Sequence, residues 1–164
     1  MNTTKSAYAL GSEEGEAFWG FGSLWTVKAS AEQTGGRFSL IEELAPRGAA
    51  TPLHVHREDD ETFYVLEGEI TFYLDDQPIP ATAGSFIHVP GGETHAFRVE
   101  SERARYLIIT TAQHERFYRA AFGDPASSRD LPPEEEPDWD RINAAALEYK
   151  VEAIGPPPES RAEG

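Results

Sequence analysis

The sequence of 164 residues predicts an all-β barrel or sandwich followed by helices. Three observations carry that reading. Between residues 17 and 111, short runs of alternating apolar residues recur at the close spacing of an antiparallel all-β domain, each bounded by turn residues. Two of these runs carry histidine and glutamate at strand spacing. Beyond Thr111 the apolar period changes from two to that of a helix.

The elements follow in order. Residues 1–16 read as a polar arm. Phe18 to Lys28 reads as one or two short strands rich in aromatics, Ala31 to Gly36 as a turn, and 37–44 as a strand. Further strands fall near 53–56, 61–67 and 69–74. Asp75-Asp-Gln-Pro78 is a hairpin turn, and strands near 79–81, 85–89, 95–99 and 104–110 complete the β region. From Gln113 the sequence is helical, with Phe117, Ala121 and Phe122 on one stripe and Gly123 as a stop. His114 lies in this helix and is expected at its surface. Residues 124–137 form a linker rich in proline and acid. Asp138 caps a second helix over 139–149, and Gly155-Pro-Pro-Pro158 ends the ordered part. The expected organisation is an arm (1–16), a barrel (17–111), a helical extension packed on it (112–158) and a loose tail (159–164). A helix laid across the barrel mouth would close whatever site lies there.

A metal site is the strongest functional signal. Residues i and i+2 of a strand project from one face, so His54 and His56 can address one ion. Period two places Glu61 with Phe63 and Val65 on one face, and a carboxylate heading an apolar inward face is costly unless paired or metal-bound. His95 likewise heads the alternation His95, Phe97, Val99, after the turn Pro90-Gly-Gly92. Any one of these histidines alone would more often be an ordinary surface or core residue. Four donors at this spacing reverse that, and imidazole with carboxylate suits a divalent first-row ion: iron, manganese, cobalt, nickel, copper or zinc. His88 shares the parity of Phe86 and is expected to point away. By parity, Phe63, Phe72, Phe97 and Val99 are candidates for a substrate pocket, each also reading as plain barrel core.

The two segments resemble the two cupin motifs. Gly48, His54, His56, Glu61 and Gly68 stand at every fixed position of the first. Gly84, Pro90, Gly92 and His95 fit the second, with Val99 where that motif has asparagine. The resemblance implies a cupin jelly-roll β-barrel (a double-stranded β-helix) with C-terminal helices. It extends over roughly 17–158, through Thr34-Gly-Gly-Arg-Phe-Ser-Leu40, Phe63-Tyr-Val-Leu-Glu-Gly68 and Ile154-Gly-Pro-Pro-Pro158, to small cupins described as quercetin 2,3-dioxygenase-like. It implies a three-histidine, one-glutamate metal site at His54, His56, Glu61 and His95. It also implies dioxygenase chemistry on a flavonol-like or other enolisable small molecule, with Glu61 as the catalytic base. Two alternatives stay open: a non-oxidative isomerase, lyase or decarboxylase acting on a small polar acid or sugar, and a binding or sensing module without turnover. Arg37, Arg98 and Arg105 are the basic residues available to a polar acid. The resemblance further implies a homodimer, with the aromatic segment Phe18 to Trp25 covering a barrel edge.

Composition narrows the partners. The net charge of −15 disfavours nucleic acid and anionic membrane surfaces. There is no cysteine, hence no disulfide and no thiolate ligand. The sequence has no apolar run of membrane-spanning length, and the N-terminal residues do not read as a secretory leader. The expectation is a cytoplasmic protein whose partners are a small substrate, dioxygen and a second copy of itself.

Overall fold

A computed structural model describes residues 6–160. Residues 1–5 of the expected arm and 161–164 of the expected tail lie outside the described residues. What is seen of the arm is tied down: Lys28 Nζ donates to the carbonyls of Gly11, Ser12 and Glu14, and the Tyr8 hydroxyl donates to the carbonyl of Lys28.

The described residues form β1 (Glu16–Gly20), β2 (Ser23–Ala29), α1 (Ala31–Thr34), β3 (Ser39–Pro46), β4 (Leu53–His56), β5 (Glu61–Glu67), β6 (Ile70–Leu74) and β7 (Gln77–Ala81). There follow β8 (Phe86–Val89), β9 (His95–Val99), β10 (Arg103–Thr110), α2 (Ala112–Phe122), β11 (Asp124–Pro125), α3 (Trp139–Glu148) and β12 (Val151–Gly155). One sheet runs β11-β1-β2-β3-β10-β5-β8 and the other β12-β4-β9-β6-β7. The all-β class with C-terminal helices is therefore as expected.

Alternation drives the packing. Along β10 the burial reads exposed, buried, in turn, with Ala104, Tyr106, Ile108 and Thr110 inward. Aromatic rings join the two sheets: Phe63 of β5 meets Phe72 of β6 at 4.9 Å, and Phe97 of β9 meets Tyr106 of β10 at 5.6 Å. The β6–β7 hairpin turns on Asp75 and Asp76, both at positive φ (48° and 60°), the geometry that matches strand twist and that a short polar side chain tolerates. Gly68 turns β5 into β6 at φ 89°, where a Cβ would lie 2.4 Å from the Arg103 carbonyl oxygen. That close approach explains the glycine at this motif position.

Three segments differ from expectation. Asp124 and Pro125, expected to open the linker, are the short strand β11 paired with β1. Residues 31–34 are a short helix rather than a turn, because Ser30 and Gln33 form a reciprocal capping box. More important, residues 151–155 are a strand. β12 pairs antiparallel with β4, setting Ala153 opposite His54 and Val151 opposite His56. The C-terminal extension thus supplies an edge strand to the sheet that carries two of the histidines, and α2 and α3 lie between that strand and the barrel's own last strand.

Candidate metal centre

The four sequence-predicted donors come from three strands of the two sheets. His54 and His56 project from β4, and His95 pairs with His54 across β4 and β9. Glu61 opens β5 in the opposite sheet, beside Thr110 of β10. The link between His56 and Glu61 is held at every step. Gly92 N donates to the His56 carbonyl (2.7 Å), and Gly91 N donates to Asp60 Oδ1 (2.9 Å). Asp59, buried, accepts from Thr111 Oγ1 (2.6 Å) and Gln113 Nε2 (3.0 Å). These contacts hold the polar turn that the four-residue spacing requires.

One ligand atom each from His54, His56, Glu61 and His95 lies within 4.8 Å of all the others. The tautomers are set by the backbone. His54 Nδ1 is 2.7 Å from the Pro52 carbonyl and His95 Nδ1 is 3.1 Å from the Glu93 carbonyl. A carbonyl can only accept, so in the neutral rings Nδ1 carries the proton and Nε2 a lone pair. His95 Nε2 then faces Glu61 Oε2 at 3.2 Å, and His54 Nε2 faces His56 Nε2 at 3.1 Å. The Nε2 lone pairs of His54 and His95 and the Glu61 carboxylate converge on one point, where a cation would relieve their repulsion. Three nitrogens and one oxygen fit a divalent first-row ion, and backbone acceptors behind the rings are the usual second layer of such a site.

Burial keeps His54 and His56 neutral. It pushes His54 down to about 4, with repulsion from His95 adding to it, and His56 down to about 2 against the pull of Glu61. Burial opposes ionisation of Glu61, but the surrounding imidazoles more than offset it and hold the carboxyl below its usual range. Its two oxygens have separate surroundings. Oε2 faces His56 and His95, whereas Oε1 accepts from the Tyr118 hydroxyl.

His114 is not at the helix surface. It is 1 % exposed, its ring stacks on His56 at 4.0 Å, and its Nε2 lies 3.7 Å from Glu61 Oε1. The reason is the position of α2, which packs its His114, Phe117, Tyr118, Ala121 and Phe122 face over the site. That full stripe has i, i+3, i+4, i+7, i+8 spacing, so a period count that admits polar residues would have found both His114 and Tyr118. Thr111 caps the helix by accepting from His114 N. His88 is exposed and pairs with Thr62 Oγ1 at 2.8 Å on the outer face.

An apolar cavity opens beside the four donors, with about 970 Å³ of empty space counting its mouth. Of the four pocket candidates, Phe97 lines it; Phe63, Phe72 and Val99 do not, and are core instead. Parity gives the face of a sheet but not the place on it: Phe72 shares a row with Phe97 but sits one strand farther from β4, Phe63 shares a row with Ile108 but sits one strand farther from β3, and Val99 lies one inward row beyond Phe97. The walls come instead from β2, α2 and α3, through Trp25, Phe117, Phe122, Trp139 and Ile142. No lysine or arginine lines the cavity among the described residues. Arg105 pairs with Glu42, Arg37 Nε donates to the Thr34 carbonyl, and Arg98 Nη1 donates to that of Pro158.

Residues 40–110 match the cupin domain family. A quercetin 2,3-dioxygenase of Bacillus subtilis is 33% identical over 148 residues, covering 88% of this chain and 44% of that protein. The chain thus spans under half the length of that relative. Among solved structures, the polyketide cyclase RemF from Streptomyces resistomycificus superposes with a TM-score of 0.58 at 18% identity, over 85% of this chain and 99% of that one. KdgF from Halomonas sp. does so with a TM-score of 0.57 at 15% identity, over 65% and 94%. At such identities the two superpositions show the fold alone. No helix among the described residues is long and apolar enough to cross a membrane.

Proposed function

We propose, from the premise that the chain belongs to the cupin superfamily, that it is a metal-dependent dioxygenase acting on a flavonol-like or other enolisable small molecule. One observation carries the reading: three imidazole nitrogens and a carboxylate oxygen converge at the floor of an apolar cavity. His54, His56, Glu61 and His95 would hold one divalent ion, which would supply Lewis acidity to an enol oxygen. The likeness to a quercetin 2,3-dioxygenase supports the substrate class.

The protein's own part follows from the geometry. The apolar walls from α2 and α3 exclude water and orient a flat, uncharged molecule. Glu61 is the base. With Oε2 turned to the imidazoles, Oε1 faces the Tyr118 hydroxyl and can take a proton from a substrate hydroxyl directly or through that phenol. Burial and the charge of Glu61 hold the Tyr118 phenol protonated, so it serves as donor rather than base. His114, stacked on His56, keeps that ring in its plane.

Among the described residues no lysine or arginine lines the cavity to meet an anion, which argues against a small polar acid as substrate. The same reading takes the protein as a homodimer: the outer face of β5 and β8 exposes Tyr64 and Phe86 (66 % exposed), and light scattering that gives a mass near 18.1 kDa would reject it. The functional test is metal analysis of untagged protein followed by oxygen uptake with flavonols and 1,3-diketones. Uptake that follows metal content supports the proposal. Metal-loaded protein that consumes no oxygen with any of them moves a non-oxidative cupin reaction ahead.

A further inference from the structure

Two buried carboxylates line the cavity, and their surroundings are opposite. Glu61 stands among imidazoles. Glu43, on β3, is also 3 % exposed and points inward, while its neighbour Glu42 points out to Arg105. The pairing register fixes where Glu43 lies. Glu61 shares a row with Thr110 and Ser39, whereas Glu43 shares a row with Tyr106 and Val65. The row of Phe63, Ile108 and Ile41 lies between them. The two backbones are thus two inward rows apart, roughly 13 Å of strand rise, and one cavity is lined by both side chains.

No cation faces Glu43 among the described residues. The groups around it are the Ser23 hydroxyl from β2, the Tyr106 hydroxyl from β10, Glu61 from β5 and Tyr118 from α2. Glu43 Oε2 and the Tyr106 oxygen are both buried without a hydrogen-bond partner. A carboxylate in such a place is costly, and it relieves the cost by keeping its proton. Burial accordingly pushes Glu43 up to about 8, and the charge of Glu61 adds to this against the hydroxyls of Tyr106 and Ser23. Two carboxyls held in opposite protonation states around one cavity divide the roles of base and donor.

We propose that Glu43 is a substrate anchor: a neutral carboxylic acid that donates a hydrogen bond to an uncharged oxygen of the bound molecule, at the end away from the four metal-binding side chains. This rests on the reading of the cavity as the substrate site and sharpens the substrate class. The molecule is elongated and mostly apolar, with an enol oxygen at one end and a hydroxyl, ether or carbonyl oxygen at the other. A carboxylate or phosphate at that far end is excluded, because no cation would meet it.

The test uses the metal-loaded full chain, with quercetin as the probe and Glu43→Gln and Glu43→Leu as variants. Infrared difference spectra should show the carbonyl band of a protonated carboxylic acid near pH 6.5, absent from both variants and lost at alkaline pH. Adding quercetin should shift that band. Quercetin affinity should fall about tenfold in Glu43→Leu and less than about threefold in Glu43→Gln, which keeps an N–H donor at the same reach. Both variants should melt no lower than the parent, since a purely structural carboxyl would instead cost stability when replaced. A missing band overturns the inference and leaves the proposed reaction standing. So does a band that ignores bound quercetin. A band that responds to quercetin in protein that consumes no oxygen overturns the reaction and leaves the anchor standing.

Discussion

His54 and His56 should add almost nothing to the pH dependence of metal affinity across the range in which histidine sites usually fail. An ion competes with protons for each imidazole, so affinity drops as the free site's rings titrate. Two rings at the ordinary value of 6.5 would each go from about 10% to about 90% protonated between about pH 7.5 and 5.5, a loss of roughly 100-fold for the pair. Burial places His54 at about 4 and His56 at about 2, so the same change protonates only a few per cent of either ring. Glu61, held below its usual range, stays ionised throughout. The share of these two rings in the pH dependence should therefore vanish. The assay is calorimetric titration of metal-free protein with Ni²⁺ or Zn²⁺ at both pH values. Buffers of different ionisation enthalpy add a second readout, because His54 and His56, already deprotonated, should release almost no protons into the buffer. A fall of 100-fold or more, or a heat that tracks the buffer with two or more protons released, would refute the argument that burial has prepared the site.

Three further outcomes follow from the same structure. Glu61→Gln should retain part of the metal, because three imidazoles remain, while turnover of an enolisable substrate falls roughly 100-fold or more; His56→Ala should lower metal content and turnover together, and full activity in a fully loaded Glu61→Gln protein would remove Glu61 from the role of base. Glu43→Leu should gain on the wild type as pH rises. A buried carboxyl raised from 4.5 to about 8 stabilises the fold least above 8 and most below 4.5, so the difference grows across that window to at most about 5 kcal/mol and is then flat; chemical denaturation at acid and alkaline pH measures it, and a constant difference would contradict it. Gly20→Ala should destabilise by about 1–3 kcal/mol, because the new Cβ would stand 2.1 Å from Phe122 Cβ and push α2 off β1; an unchanged urea midpoint would show that α2 does not rest there.

What the sequence revealed and what it hid divide along a physical line. His54, His56, Glu61 and His95 were legible because strand parity and a turn of fixed length are local properties, and locality is what a single sequence encodes best. The β8 and β10 segments were legible for the same reason, each alternating over its own length. His114 and Tyr118 were not, since a polar residue on a helix faces solvent unless another element covers it, and that cover is a tertiary fact. β12 was hidden for a different reason. Glu152, Ala153 and Ile154 are all exposed, so no side-chain alternation marks this strand, and it joins β4 through a backbone ladder. Position across the sheet was the third blind spot: parity selected Phe63, Phe72, Phe97 and Val99, but only Phe97, on the strand next to β4, stands against the cavity. Glu43 belongs with these. On its own strand it reads as one of two adjacent acids, Glu42-Glu43, of which either could face water. Only the pairing of β3 with β10, which turns Glu43 towards Tyr106 and Glu42 towards Arg105, separates a surface ion pair from an acid enclosed with the metal-binding side chains. The cavity therefore owes its first carboxyl, Glu61, to local pattern and its second to sheet register. Conserving the two histidine motifs alone would preserve the first and not the second, so chains that share this metal site can differ in the molecule they hold.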